Sequence, residues 1–220
     1  MSKKITSPEG VAVWPALTAP TSYKDGPLTY ETKLKLEAGS ADTAAFIEAL
    51  TEAHDVGKTS INEQRARFGE KPLTAAQLKK VAPLPWQDEL DQDTGEPTGF
   101  ILVKAKLKAA RMVRGQEIAQ RPALFDGAGT PFDVDVPVWS GSKIRISVEP
   151  RPYFVGALGY GISLQLKAAQ ITHVVNGTNE VLDADAYGFD TDGEAGPVAE
   201  VVVEAVEEAA PAEDFGSEDF

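Results

Sequence analysis

Basic side chains alternate with apolar ones in two separate stretches of the chain, a pattern suited to binding a polyanion. The basic residues at these alternate positions are Lys104, Lys106, Lys108, Lys143 and Arg145. Successive side chains of a β-strand point to opposite faces, so each stretch would present cations on one face and apolar residues on the other. A solvated edge strand that lysines protect against aggregation shows the same pattern. The aromatic residues nearby favour the binding interpretation.

Aromatic and further basic residues lie just after the second alternating stretch. Arg151, Tyr153 and Phe154 occur there, followed by a connection rich in glycine. Cations can contact the phosphates of a single-stranded nucleic acid while aromatic rings stack on its bases. Tyr153 is the main stacking candidate, and the weaker candidates are Phe154, Trp14 and Tyr30.

The alternating stretches predict about six strands interrupted by one helical segment. The predicted strands are 11–17, 29–37, 99–109, 122–125, 143–149 and 161–175. Pro15 is expected to limit the first strand to an edge or an end. Residues at about 40–82 have a helical period, in which Gly57 is predicted to end the first helix and capping boxes at Ser60 and Thr74 to begin two more. Many short strands with one helical insertion are typical of a mainly β protein built on a small Greek-key barrel.

The charge is distributed very unevenly along the chain. The net charge is −13, yet residues 1–175 carry all 21 Lys and Arg and 20 of the Asp and Glu, whereas residues 176–220 carry 14 acids and no base. Low complexity and charge of one sign predict a disordered acidic tail at 176–220 behind a folded domain at 1–175. The tail closes on Glu218, Asp219 and Phe220, and an aromatic anchor beside carboxylates is a common form of docking motif.

Composition excludes several classes of protein. The chain contains no cysteine, so disulfides and thiolate chemistry are excluded. Its start lacks the apolar core of a secretory signal, and no apolar run approaches the roughly 18 residues that a membrane span needs. We therefore expect a soluble intracellular protein with no cofactor.

Several segments in order along nearly the whole chain resemble the replication single-stranded DNA-binding proteins of T-seven-like bacteriophages. These segments are the start MSKKI, the block GSKIRI followed by PYF at 152–154, the strand ISLQLKAAQI, and the acidic end. The resemblance implies an OB-fold, a five- to six-stranded Greek-key barrel that coats single-stranded DNA cooperatively. It also implies a role for the basic positions Lys3, Lys104, Lys106 and Lys143, for Tyr153 as the stacking ring, and for Phe220 as the terminal aromatic.

The same resemblance implies where the protein works and with what. It would protect single-stranded DNA during phage replication, recombination and repair in the cytoplasm of the infected bacterium. Its tail would compete with DNA and dock the phage DNA polymerase and helicase-primase, and a homodimer is plausible. The family often has a basic residue and a tryptophan just after the tyrosine. Phe154 and Val155 stand there in this chain, and we expect Phe154 to substitute as the second stacking ring.

Two other functions compete with single-stranded DNA binding. A metal-dependent nuclease would use the acidic run Asp88, Asp91, Asp93 and Glu96, but one polar loop does not hold carboxylates as rigidly as such a site needs, and no metal site is expected. His54 is interpreted as a charge partner at a helix C-terminus. A protein-binding adaptor would act through its tail alone. The lysine face would also allow weaker binding of double-stranded DNA.

Overall fold

The computed structural model describes residues 3–22, 24 and 26–175, in which strands dominate. The strands are β1 (Ile5–Thr6), β2 (Gly10–Thr21), β3 (Thr29–Glu37), β4 (Trp86–Leu90), β5 (Pro97–Lys108), β6 (Ala110–Val113), β7 (Gln116–Ala119), β8 (Ala123–Asp126), β9 (Lys143–Val155) and β10 (Gly159–His173). The helices, both between β3 and β4, are α1 (Ala41–Arg67) and α2 (Ala75–Lys79). The acidic tail predicted at 176–220 lies outside the described residues.

Five of the strands close into a barrel. Their order is β2, β3, β5, β10, β9 and back to β2. Four of the five neighbouring pairs are antiparallel, whereas β5 and β10 run parallel. This is the five-stranded Greek-key barrel of an OB-fold. The predicted mainly β OB-fold with a helical insertion is therefore confirmed.

Alternation along the barrel strands places the core where the sequence pattern predicts it. In β9, Ile144 and Ile146 are fully buried, while Lys143 and Arg145 on either side of Ile144 are exposed. Helix α1 packs against β9 and β10 with Phe46, Leu50 and Ile61 buried. Each such side chain stabilises the folded state by about 1.5–3 kcal/mol relative to exposure.

Helix α1 continues straight through Gly57, so the prediction that Gly57 ends it is wrong. Gly57 is buried where the helix crosses β10, and an added Cβ would lie 2.7 Å from Tyr160 Oη and 3.3 Å from Pro152 Cβ. The Tyr160 hydroxyl donates a hydrogen bond of 2.6 Å to the carbonyl oxygen of His54. The glycine is there because the helix approaches the strand closely.

His54 lies in the middle of α1, so its interpretation as a residue at a helix end is wrong. It is buried, with its ring centroid 4.9 Å from that of Tyr160 and its Nδ1 3.0 Å from Asp55 Oδ1. Burial, with a smaller contribution from the Asp55 charge, raises the pKa of the Tyr160 phenol. The phenol therefore keeps its proton, and its hydrogen bond to the helix, at a pH where an ordinary tyrosine would ionise.

The two predicted capping boxes differ in outcome. Ser60 caps nothing: it lies inside α1, and its hydroxyl donates to the Gly57 carbonyl at 3.4 Å. Thr74 begins α2 as predicted. Its Oγ1 accepts from the Gln77 N–H at 3.3 Å, and Gln77 Oε1 accepts from the Thr74 N–H at 2.8 Å.

Pro15 was expected at an edge or an end of its strand; β2 runs on past it, and at this position β2 pairs with β3 but no longer with β9, as at an edge. The register with β3 shifts between Val13 and Ala16, and Trp14 within this irregularity has a φ of 50°. A β-bulge leaves a residue unpaired, so it accommodates a proline within a strand. Strand β4 and the hairpin β6–β7 were not predicted. Among the described residues, no helix combines the length and the apolar composition that would let it cross a membrane.

Candidate nucleic-acid interface

A groove opens on the outer face of the barrel where β5 and β10 separate. The two strands pair only at Ala105 with Leu164 and at Lys106 with Gln165. Beyond this point the Lys104 N–H donates to the Pro85 carbonyl at 2.7 Å instead of to β10. The groove has a volume of about 480 Å³, and its lining includes Pro83, Pro85, Lys104, Lys106, Tyr153 and Ser163.

Tyr153 reaches this groove from β9, across β10. It pairs directly with Gly161 in the antiparallel β9–β10 ladder. Its side chain is half-buried, and its ring lies against Gly161, in space that a side chain at position 161 would need. One aromatic ring from β9 and two lysines from β5 therefore converge on one groove. This is the combination that suits a stacked base and its flanking phosphates.

Two carboxylates already occupy some of the cations around the groove. Glu31 Oε2 lies 3.2 Å from Lys104 Nζ. Glu149 Oε1 lies 2.9 Å from Arg151 Nη2, and its other oxygen lies 2.9 Å from Lys167 Nζ. Within the residues that the structure describes, Lys106 forms no ion pair, which leaves its ammonium group available to an anion.

The remaining predicted cations fall outside the groove. Lys143 and Arg145 lie on β9 at least six residues before Arg151, or about 20 Å along the strand. Lys108 is exposed at the end of β5, beyond Lys106. Lys3 lies in a second groove, of about 1020 Å³, between α1 and the start of the chain. Arg151 lines this second groove too.

Two of the predicted stacking aromatics face the barrel interior. Phe154 and Tyr30 are half-buried and pack against the hydrophobic core, on the opposite faces of their strands from Tyr153 and Glu31. They are not part of the candidate interface, and the suggested substitution of Phe154 for a second stacking ring is not supported. Trp14, by contrast, is 76% exposed.

The acidic run that suggested a nuclease forms a strand and a turn. Asp88 belongs to β4, and Asp91 closes the following turn by accepting hydrogen bonds from the N–H groups of Thr94 and Asp93 at 2.8 and 3.0 Å. The backbone and hydroxyl hydrogen bonds from Thr94, with that from Asp93, lower the pKa of the Asp91 carboxyl. Among residues 3–22, 24 and 26–175, no three His, Asp or Glu side chains converge as metal ligands would.

Sequence reasoning missed three features of the groove. Pro83 and Pro85, which form one wall of the groove, were given no role in binding. Gly161 was included only in a connection rich in glycine. Lys33, which pairs directly with Lys104 across β3 and β5, was not identified as a neighbour of the groove. Register between distant strands was the missing signal.

The fold is shared with solved structures of phage proteins. The chain is similar to gp2.5, a single-stranded DNA-binding protein encoded by bacteriophage T7, with a TM-score of 0.63 and 18% identity over 90% of this chain and 100% of that one. It is also similar to the single-stranded DNA-binding protein of bacteriophage Enc34 in complex with single-stranded DNA, with a TM-score of 0.53 and 14% identity over 79% of this chain and 88% of that one. No family model and no curated protein sequence matches the chain.

Proposed function

We propose that this protein binds single-stranded DNA without sequence preference, in the groove between β5 and β10. The observation that carries the proposal is the convergence of Lys104, Lys106 and Tyr153 on that groove. Bases would stack on Tyr153 while the lysines contact phosphates. The two similar structures are single-stranded DNA-binding proteins by name, and one of them holds single-stranded DNA.

The groove predicts how strongly salt should weaken binding. Two cations line it: Lys104 and Lys106. Each phosphate that a cation neutralises contributes about −0.7 to the slope of log K against log salt for a single strand. We therefore expect a slope of about −1.4 from this groove. A body with a formal charge near zero can still bind DNA, because the phosphates respond to the local charge of the groove and not to the net charge.

The test is fluorescence anisotropy of a labelled oligothymidine at several salt concentrations. Tyr153→Ala should weaken binding at every salt concentration, by about 5-fold or more, because a stacked base contributes about 1–3 kcal/mol. Lys106→Ala should weaken binding and reduce the magnitude of the salt slope by about 0.7. Lys71→Ala, which removes an exposed cation from the loop between the two helices, is the matched control and should change neither.

We further propose that the acidic tail at 176–220 competes with DNA for the groove and docks phage replication proteins, the DNA polymerase and helicase-primase. The protein would then coat single-stranded DNA in the infected cell, in support of replication, recombination and repair. The charge division between the two parts of the chain supports this, since 14 acids and no base lie in the tail. If the Tyr153 and Lys106 variants bound DNA as the wild type does, the groove would not be the binding site. If neither the full-length protein nor one truncated after Val175 bound DNA, an adaptor acting through the tail would be the better account.

A further inference from the structure

Trp14 combines high exposure with an unusual backbone conformation. Its side chain is 76% exposed and its φ is 50°. A large non-glycine residue rarely adopts a positive φ, because its side chain crowds the backbone there, and the surrounding structure must hold it in place. Here the Trp14 N–H donates a hydrogen bond of 2.9 Å to Ser140 Oγ, which lies 126 residues away in the chain. The fold therefore fixes the backbone that presents this exposed indole.

A second exposed tryptophan lies on the adjoining segment. Trp139 precedes the residue that holds Trp14 and is 53% exposed. Its own N–H donates to the Val175 carbonyl at 3.2 Å, so this segment is also anchored. Leaving two indoles in water costs free energy that burial would recover. Both residues are held at the surface by hydrogen bonds of their backbone.

Cross-strand pairing connects Trp14 to the groove. Val13, next to Trp14, pairs with Lys33, and Lys33 pairs with Lys104 at the edge of the groove. Two strand spacings separate the backbones of Val13 and Lys104, or about 10 Å. Lys143 lies at the same end, because it pairs with Val11 on the outer face of β2.

Lys33 and Lys104 are like charges placed directly opposite each other, an arrangement that destabilises a sheet unless an anion compensates it. Glu31 pairs with Lys104. Lys35, on the same face of β3, forms an ion pair with Glu89, with 2.7 Å between Lys35 Nζ and Glu89 Oε2. Its Nζ also lies 4.3 Å from the centroid of the Phe100 ring. Within the described part of the chain, Lys33 itself has no ion pair. An anion passing from the groove toward Trp14 would meet this free ammonium group.

We propose that Trp14 is a second stacking platform, separate from Tyr153, and that Lys33 contacts the phosphates of the same DNA strand between the two. The inference rests on the proposed function and deepens it, since it commits to the continuation of a single strand bound in the groove. Trp139 extends the same platform. A short oligonucleotide would occupy the groove alone, and a longer one would also reach Trp14.

The test compares two oligothymidines, one of about 4 and one of about 12 nucleotides, a range that brackets the sites of single OB-folds. Trp14→Ala and Lys33→Ala should each weaken binding of the longer oligonucleotide by about 5-fold or more and leave the shorter one unchanged. Tyr153→Ala should weaken both. Trp14→Phe retains a ring and should restore most of the affinity that Trp14→Ala loses. Leu90→Ala, which removes an exposed apolar side chain from β4, is the control and should change neither.

Several outcomes would overturn the second platform. In the first, Trp14→Ala binds the longer oligonucleotide as tightly as the wild type, while Tyr153→Ala binds it more weakly. The proposed function would then stand without a second platform. Another is an equal loss for both lengths, which would place Trp14 in the groove itself. Circular dichroism shows whether Trp14→Ala is folded. If it is not, the affinities of Lys33→Ala and Trp14→Phe for the two oligonucleotides provide the test. Failure of the wild-type protein to bind either oligonucleotide would instead refute the proposed function.

Discussion

Tyr153 contacts Gly161 so closely that no other residue type fits at position 161 without moving the ring. A Cβ added to Gly161 would lie 2.8 Å from Tyr153 Oη and 2.9 Å from its Cζ. The same Cβ would lie 3.0 Å from Ala82 Cβ. The two residues pair directly across β9 and β10. The glycine thus sets where the ring lies, and with it the position at which a base can stack.

We expect Gly161→Ala to weaken DNA binding by displacing the Tyr153 ring. The ring end is the part of that side chain that moves most easily, so the barrel should remain folded. The expected loss is about 5-fold or more in affinity, as for removal of one stacked base. Anisotropy titration with oligothymidine measures the affinity, and circular dichroism checks the fold.

The double variant Gly161→Ala with Tyr153→Ala separates this effect from a general disturbance. If the glycine acts through the ring, its substitution should cost little once the ring is gone, because coupled residues are not additive. Full additivity of the two losses would contradict the explanation.

Glu31→Gln should strengthen DNA binding. The Glu31 carboxylate pairs with Lys104 at 3.2 Å and lies opposite Lys106 in the β3–β5 ladder. Removing its charge frees Lys104 for a phosphate and removes a carboxylate that would repel one. Exposed ion pairs contribute about 0.2–1 kcal/mol, so we expect a gain of up to about 5-fold at low salt. Glu37→Gln, at the far end of the same strand, is the control, and weaker binding by Glu31→Gln would refute the prediction.

Gly57→Ala should destabilise the protein. Its Cβ would come within 2.7 Å of Tyr160 Oη and 3.3 Å of Pro152 Cβ, where α1 crosses the barrel. Overpacking of this kind costs about 1–3 kcal/mol in the free energy of unfolding, which urea denaturation measures. Adding Tyr160→Phe removes the crowded hydroxyl, so the double variant should lose less stability than the sum of the single losses.

Truncation after Val175 should raise the affinity for single-stranded DNA. The removed residues carry 14 acids and no base, so their loss relieves competition for the cations of the groove. The gain should be largest at low salt, where charges are screened least. Anisotropy with the full-length and truncated proteins at two salt concentrations measures it. Equal affinities would show that the tail does not compete, whatever its role with other proteins.

The turn at Asp91 should lose stability in acid. Hydrogen bonds from Thr94, with that from Asp93, lower the pKa of the Asp91 carboxyl in the folded protein. A carboxyl whose pKa is lowered by folding contributes stability above its unfolded pKa and loses it as pH falls through the folded pKa. NMR titration should place Asp91 below an ordinary aspartate, and Asp91→Asn should remove this part of the pH dependence. An unshifted titration would contradict it.

Alternation in the sequence was sufficient to predict the barrel, because each strand has one buried face. It failed where tertiary contacts overrule local preference. A glycine is common just after the end of a helix, but Gly57 lies inside α1, where the helix approaches Tyr160 closely. Pro15 predicted an edge or an end of a strand, but the bulge at Trp14 that accommodates it within β2 was not foreseen. Gly57 depends on Tyr160 and Pro152, and the backbone of Trp14 beside Pro15 is held by Ser140. A local sequence pattern contains none of these distant partners.

The candidate site was predicted in part for the same reason. Lys104, Lys106 and Tyr153 were identified from alternation and residue type, and the structure brings them together. Lys33 was missed because its importance lies in its pairing with Lys104. The sequence of a single strand does not determine which residues it pairs with on the next strand. Tyr30 was included by residue type, although its place on the apolar face of β3 predicts burial.

The groove lies where β5 and β10 pair and close the barrel, so ligand binding and barrel closure affect each other. Strands β5 and β10 meet through only two residue pairs, although about 60 residues of chain separate them. A DNA strand that contacts both Lys106 of β5 and Tyr153, which reaches the groove across β10, would bridge the two sides of this pairing. Because such a ligand binds only the closed barrel, thermodynamic linkage requires that it also stabilise closure. Amide hydrogens along β5 and β10 would then exchange more slowly once DNA is bound.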